Sequence, residues 1–233
     1  MIRSVQSQTY KNWELVLVDD GSEDDPDRIV LPLAEKDDRI KYIKLGKNRG
    51  YSVAKNEGII ASLGSYIAMI DADDMLTRDS LEIRYRHLFK RPESLWVHGN
   101  AYDLHSSGKK TPDKFFPVRW KKHFDSGNFA FLGSCIHAQC VMVRREFHFQ
   151  MGLYDEELRA TSDREMWKRA VAIGSIPEYS DNFVAIYRKH GRQMSRSKWK
   201  HKNKSNLWDI ANKNLNDRVE NGVNASNTRL LYA

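Results

Sequence analysis

What this chain lacks narrows its class before any motif is read. No apolar stretch approaches the roughly 18 to 20 residues needed to cross a bilayer, and Met1 to Tyr10 carries no apolar core of a signal peptide. Export is therefore not expected, and the chain is assigned to the cytoplasm. Two cysteines, Cys135 and Cys140, are too few for a disulfide framework and have no Cys/His partner set for zinc, so both read as reduced packing residues. No internal repeat is present. Beyond about residue 195 the chain is rich in Lys, Asn and Ser with sparse Leu and Trp, so 196–233 reads as a basic, polar tail, solvated or partly helical.

What remains is 233 residues, 40% hydrophobic and 30% charged, enough for one soluble domain with that tail. The net charge of +7 implies attraction to polyanions such as nucleotide phosphates, anionic lipid surfaces or nucleic acid. The charge is unevenly placed. Asp19 to Asp27 and Asp71 to Asp79 are acidic, whereas Arg188 to Lys204 holds eight Lys and Arg residues without an acid among them.

Helical and strand periodicities alternate along the first half. A helix end over Ile2 to Thr9 precedes a strand at Trp13 to Val18, a helix at Asp27 to Lys36, a strand at Ile40 to Leu45 and a helix at Ser52 to Leu63 closed by Gly64. A strand at Tyr66 to Ile70, a helix at Arg78 to Lys90, and strands near Leu95 to Tyr102 and Cys140 to Val143 follow. A Ser106-Ser107-Gly108 turn interrupts the order, and a final helix over Ser162 to Ile173 has Ser162 as its expected N-cap and Glu165 completing a capping box. Such alternation predicts an α/β architecture with a mixed, mainly parallel sheet flanked by helices.

The chemistry-bearing residues sit at element ends. Asp71-Ala72-Asp73-Asp74 closes an apolar strand, and carboxylate oxygens are hard ligands suited to Mg2+ or Mn2+, an ion that takes its remaining ligands from water and a diphosphate. Asp after a strand also makes turns and caps helices. A second strand ends at Asp19-Asp20, and in open α/β sheets the carboxyl ends of strands line one ligand crevice. Asp163 falls in the first turn of a helix, at the positive end of its dipole, where acids are also common for stability alone.

These residues, taken in order, resemble the inverting glycosyltransferases of family 2, which have the GT-A fold. The match runs through Ser4-Val5 with Gln8-Thr9-Tyr10, Glu14 to Ser22 (ELVLVDDGS), Asn48 to Ile59 (NRGYSVAKNEGI) and Gly64 to Asp74 (GSYIAMIDADD). It continues through Arg144-Arg145-Glu146, Gly152 to Glu156 (GLYDE), Ser162-Asp163 with Trp167 and Arg169, and Tyr187-Arg188-Lys189-His190. The resemblance implies a glycosyltransferase domain over 1–195, with a nucleotide-sugar-binding half at 1–94 and an acceptor-binding half at 95–195.

By the same resemblance Asp163 is the catalytic base, and Asp20, Asn48, Asn56, Asp71 and Arg188 bind the nucleotide sugar. Asp73 and His190 would hold Mn2+ or Mg2+, and Asp74 would be structural. Arg49 or Lys55 would meet phosphate unless they are simply solvated. The donor would be a nucleotide-diphosphate sugar, a UDP-sugar first, and the acceptor a glycan or a lipid-linked molecule met at an anionic membrane face. The aromatic segment Phe115 to Phe131 and the run Gly133 to Gln139 are candidates for the acceptor wall. Processive members carry Gln-x-x-Arg-Trp after the base; here Arg119-Trp120 precedes Asp163, so addition of one or a few sugars is expected.

The pattern departs from the family in two places. Ser162 stands where Glu usually precedes the base. The family's first apolar strand has no counterpart, and its place would lie between the strands at Trp13 to Val18 and Tyr66 to Ile70, leaving two strand edges uncovered unless another segment or chain fills the gap. A catalytically inactive binding module is therefore the alternative reading. Nucleic acid is not expected as a partner, although the tail interleaves Trp199 and Trp208 with cations.

Overall fold

A computed structural model of the protein describes residues 1–113, 136–158, 161–191 and 193. The acceptor-wall segment Phe115 to Phe131, Cys135 and the tail 196–233 lie outside these residues.

The N-terminal layer begins with a short helix, α1 (Ile2–Gln6), followed by β1 (Leu15–Asp19), α2 (Asp27–Ala34), β2 (Ile40–Lys44) and α3 (Tyr51–Ala61). β1 and β2 pair in parallel, Leu15 against Ile40 through Asp19 against Lys44, as the intervening helix requires. Leu15, Ile40, Val5 and Leu76 form a small buried cluster beneath this pair. Gln8, fully buried, fastens the layer to the rest of the domain. Its amide donates to the Ser4 and Thr77 carbonyls at 2.9 and 2.6 Å, and its oxygen accepts from the Leu81 N–H at 3.0 Å.

The second layer contains β3 (Tyr66–Ala68), β4 (Met75–Leu76), α4 (Ser80–Phe89), β5 (Trp96–Leu104), β6 (Lys110–Asp113), β7 (Val141–Arg144), α5 (Arg145–Met151), α6 (Ser162–Ala172) and β8 (Glu178–Arg188). The sheet order is β3-β7-β5-β8-β4, with β6 also paired to β5. The mixed α/β architecture expected from the sequence is present, but its sheet is not mainly parallel. Only β1–β2 and β5–β8 pair in parallel among the described strands, while β3–β7, β4–β8, β5–β6 and β5–β7 are antiparallel. The reason lies in the connections: strand–helix alternation holds through α4, and the Ser106-Ser107-Gly108 turn then folds β6 straight back on β5, closed by the His105 N–H to Lys109 carbonyl bond at 2.9 Å.

The main core lies between this sheet and α5 and α6. Trp96 stacks on Trp167 with ring centroids 5.0 Å apart, and Phe147 packs against both rings. Two buried guanidinium groups knit the helices to this layer. Arg84 on α4 donates to Ser80 and to the Gln139 and Val141 carbonyls, fixing the entry to β7; burial lowers its pKa to about 10. Arg169 on α6 forms a fully buried pair with Glu165 at 2.5 Å and donates to the Met151 and Leu153 carbonyls. That pairing corrects the expected cap. The N-cap of α6 is Thr161, at φ 67°, and Glu165 turns inward to Arg169 rather than back to the helix start. Ser162 is the first helical residue, and its buried hydroxyl has no partner among the described residues.

β1 and β3 fall in separate sheets, and both line one large cavity between the layers.

Candidate active site

The cavity measures about 1700 Å3 and is walled by β1, the start of α3, β3 with the acidic turn after it, the turn before β7 and the first turn of α6. Asp20, Asn48, Asp71, Asp73 and Asp163 all line it. The structure thus brings together acids that lie up to 143 positions apart in the chain.

Asp20 follows the last residue of β1, where the backbone turns sharply at Gly21 (φ 75°). A Cβ on Gly21 would lie 2.6 Å from the Asn48 nitrogen, so only glycine lets the two loops touch. The Asp20 carboxylate accepts the N–H groups of Arg49 at 2.6 Å and Gly50 at 2.8 Å, cinching the loop that starts α3. Asn48 is exposed at the cavity edge.

The acidic turn divides its work. Asp71 accepts the Tyr51 hydroxyl at 2.7 Å; burial raises its pKa, against the opposing pull of Lys55 and of that hydrogen bond. Asp73 meets His190, with Oδ2 and Nε2 2.8 Å apart. Asp74 is fully buried, accepts from Gln139 Nε2 at 2.8 Å and from the Arg188 N–H at 2.9 Å, and is pushed up to about 7 by burial. The residue expected to be structural is thus the one committed to holding β8 and the turn before β7.

A divalent ion is compatible with this donor set. Ligand atoms from Asp71, Asp73 and Asp74 lie within 4.8 Å of one another. The Asp73–His190 separation of 2.8 Å approximates the ~3.0 Å between neighbouring ligands on an octahedral ion with bonds near 2.1 Å. Because Asp74 is enclosed, the accessible donors are Asp73, His190 and the Asp71 carboxylate.

Two expected binding residues are placed differently. Asn56 is buried on α3 and does not line the cavity; its side chain donates to the Tyr154 carbonyl and accepts the Tyr154 N–H, both at 2.9 Å, and reaches Glu156 at 3.0 Å. It clamps the Gly152 to Glu156 segment to the helix. Arg188 contributes its backbone N–H to Asp74, while its side chain is exposed and absent from the cavity lining. The tightening of β8 onto the acidic turn uses the main chain there.

The sequence reading overlooked Tyr51, took Lys55 as a phosphate contact or a solvated residue, and gave His137 no individual role. Lys55 is 9% exposed, lies over the Tyr51 ring at 4.1 Å and near the Tyr154 ring at 4.8 Å, and feels the charges of Asp71 and Asp163. Burial lowers its pKa, and burial raises that of Tyr51, with the Asp71 and Asp163 charges adding to it. His137 also lines the cavity, bonded through Nε2 to Asp113 at 3.0 Å and packed against Tyr187; the bond from His137 holds the Asp113 carboxyl below its ordinary value. Asp163 and Arg164, in the first turn of α6, complete the lining.

Comparison with known proteins identifies the family and the fold. A putative teichuronic acid biosynthesis glycosyltransferase, TuaG of Bacillus subtilis, is 28% identical over 199 residues, covering 85% of this chain and 76% of its own. An uncharacterized glycosyltransferase of Rickettsia conorii is 30% identical over 181 residues, covering 75% of this chain but only 28% of its own length. A crystal structure of S. aureus TarS 1-349 in complex with UDP superposes with a TM-score of 0.60 at 17% identity, over 82% of this chain and 56% of that one, which establishes a common fold. The chain therefore spans about a quarter of the Rickettsia relative and about half of the TarS fragment. The sequence model described as Glycosyl transferase family 2 matches residues 1–150. Over more than half of its length, with an acid-lined cavity between its two layers, the chain belongs to glycosyl transferase family 2.

Proposed function

We propose that this domain transfers a single sugar, or a few, from a nucleotide-diphosphate sugar to an acceptor hydroxyl, with inversion at the anomeric carbon. The observation that carries the reading is the shared cavity: Asp163 on α6 and the Asp71–Asp73 pair after β3 line one space. Residues 1–94 would hold the donor and 95–195 the acceptor, with 196–233 as an appended basic tail. Asp20 and Asn48 would contact the nucleotide. UDP is the first base to test, since TarS, which shares the fold, was crystallised with it.

Asp163 takes the proton at the acceptor oxygen as that oxygen attacks the anomeric carbon from the face opposite the diphosphate. A well-placed base of this kind supplies roughly 10² to 10⁴ in rate. Asp73 and His190, with Asp71 beside them, would hold Mn2+ or Mg2+, which when bound stabilises the charge growing on the leaving diphosphate. The Tyr51 hydroxyl on Asp71 and the Asp74 contacts keep these groups in place. A glycan or lipid-linked acceptor, met at the cytoplasmic membrane face through the basic tail, fits the teichuronic acid biosynthesis printed for TuaG. No helix among the described residues is long and apolar enough to cross a membrane.

Among the described residues β1 pairs only with β2, β3 pairs only with β7 and the Ser162 hydroxyl has no partner, which favours one alternative, a module that binds the nucleotide sugar without turning it over. Release of nucleoside diphosphate from a panel of UDP-, GDP- and dTDP-sugars, with and without Mn2+ or Mg2+, separates the two. Metal-dependent release from one donor supports transfer chemistry; binding without release supports the module.

A further inference from the structure

Lys55 is a buried cation that the protein leaves unfinished. Its ammonium, with three N–H donors, has no hydrogen-bond partner among the described residues, although the residue is 9% exposed and lines the cavity. The faces of Tyr51 and Tyr154 hold it at 4.1 and 4.8 Å, and Asn56, the next residue on α3, fixes Tyr154 by bonding both its N–H and its carbonyl. A charge removed from water and given no donor–acceptor partner is costly, so its place in a substrate cavity points to a ligand that completes it.

The surroundings say what that ligand group is. Asp71 and Asp163 are the charges felt by the ammonium. With two carboxylates already acting on the ammonium, a neutral group is favoured there over a further anion. A hydroxyl satisfies the whole set, since its oxygen accepts from the ammonium while its proton goes to a carboxylate. We propose that Lys55 is a specificity-determining residue that reads a hydroxyl of the transferred sugar, donating to its oxygen while Asp71 accepts its proton. This rests on the reading of the ligand as a nucleotide sugar, but not on turnover.

Binding calorimetry in Mn2+ tests it with UDP, UDP-glucose, UDP-galactose and UDP-N-acetylglucosamine, followed by the 3-deoxy and 4-deoxy analogues of the tightest. The unaltered protein should prefer one UDP-sugar over UDP and lose about tenfold to a hundredfold with one deoxy analogue, the range for a hydrogen bond to a charged group. Lys55→Met should lose the same factor for the parent sugar, bind parent and deoxy analogue alike, and hold UDP within about twofold. Equal weakening of UDP and UDP-sugar would overturn the proposal in favour of a phosphate or purely structural role, as would no change in either. Insensitivity of the unaltered protein to removal of every sugar hydroxyl in turn, the 2- and 6-deoxy analogues included, overturns it without any variant. Failure to bind any of the four, and any of the corresponding GDP- and dTDP-sugars measured in the same way, would sink the nucleotide-sugar reading and this inference together. Lys55-dependent sugar preference without nucleotide release would instead sink transfer and leave the inference standing.

Discussion

Arg169 on α6 and Lys55 on α3 are both buried cations, yet they are treated in opposite ways. Arg169 directs its guanidinium to the Glu165 carboxylate and the Met151 and Leu153 carbonyls, and Arg84 is satisfied similarly by Ser80, Gln139 and Val141. Lys55 has aromatic faces and two carboxylate charges around it but no hydrogen bond from its ammonium to the described residues. Among these three cations, the two that knit helices to the sheet are bonded and the one that lines the cavity is not. Burial alone therefore does not separate these three; the state of their hydrogen bonds does.

The largest expected effect lies on the incomplete side. Asp163→Asn should reduce nucleotide release by roughly 10² to 10⁴ while donor binding by calorimetry is retained; a near-normal rate would remove Asp163 from the base role. On the complete side, Arg169→Leu strands Glu165 and should cost about 3 to 5 kcal/mol in urea unfolding, with Glu165→Leu in the same chain recovering most of it.

Acid should act next, through His98 and His148, both lowered to about 4 by burial. The unfolded chain binds these protons first, near the ordinary value of about 6.5, so their contribution is full above that pH and falls away toward pH 4. Urea midpoints measured across this window should fall, whereas His98→Phe with His148→Phe should flatten that part of the profile. Lys55→Met should sharpen the contrast with Arg169→Leu by changing unfolding free energy by under about 1 kcal/mol, or raising it, because it removes a buried charge with no partner to strand. The smallest effect belongs to the exposed Arg86–Glu82 pair, 2.6 Å apart one helical turn from each other, where Arg86→Ala should cost less than ~0.5 kcal/mol.

Much of the site was legible because strand ends announce themselves. Asp20 and the Asp71 to Asp74 turn follow apolar runs, and Asp163 opens a patterned helix, so each could be placed at the mouth of a sheet. The burial of Lys55 was not legible because a lysine on a helix ordinarily points to water; the rings of Tyr51 and of Tyr154, the latter nearly a hundred residues away, lie against it. Asn56 shows the same limit, since nothing local reveals that its amide is claimed by the Tyr154 backbone. β8 was missed as a strand because the polar residues Ser180, Asp181 and Asn182 interrupt its apolar pattern. The cap of α6 was placed one residue late because a threonine at φ 67° is not readable from residue type. Strand direction was overcounted as parallel because local periodicity identifies a strand without identifying its neighbour.

Residues 55 and 56 are neighbours on α3 with separate duties. Asn56 holds the wall of the pocket from behind, by two bonds to one residue's backbone, whatever side chain that residue carries. The Lys55 ammonium makes no hydrogen bond to the described residues, so exchanging it breaks none among them. A descendant of this protein can thus try a new side chain at position 55, and a new sugar with it, in a single substitution that leaves the wall standing. The same helix turn is a fixed frame and a replaceable reading head, which gives the lineage a short mutational route from one glycan to another.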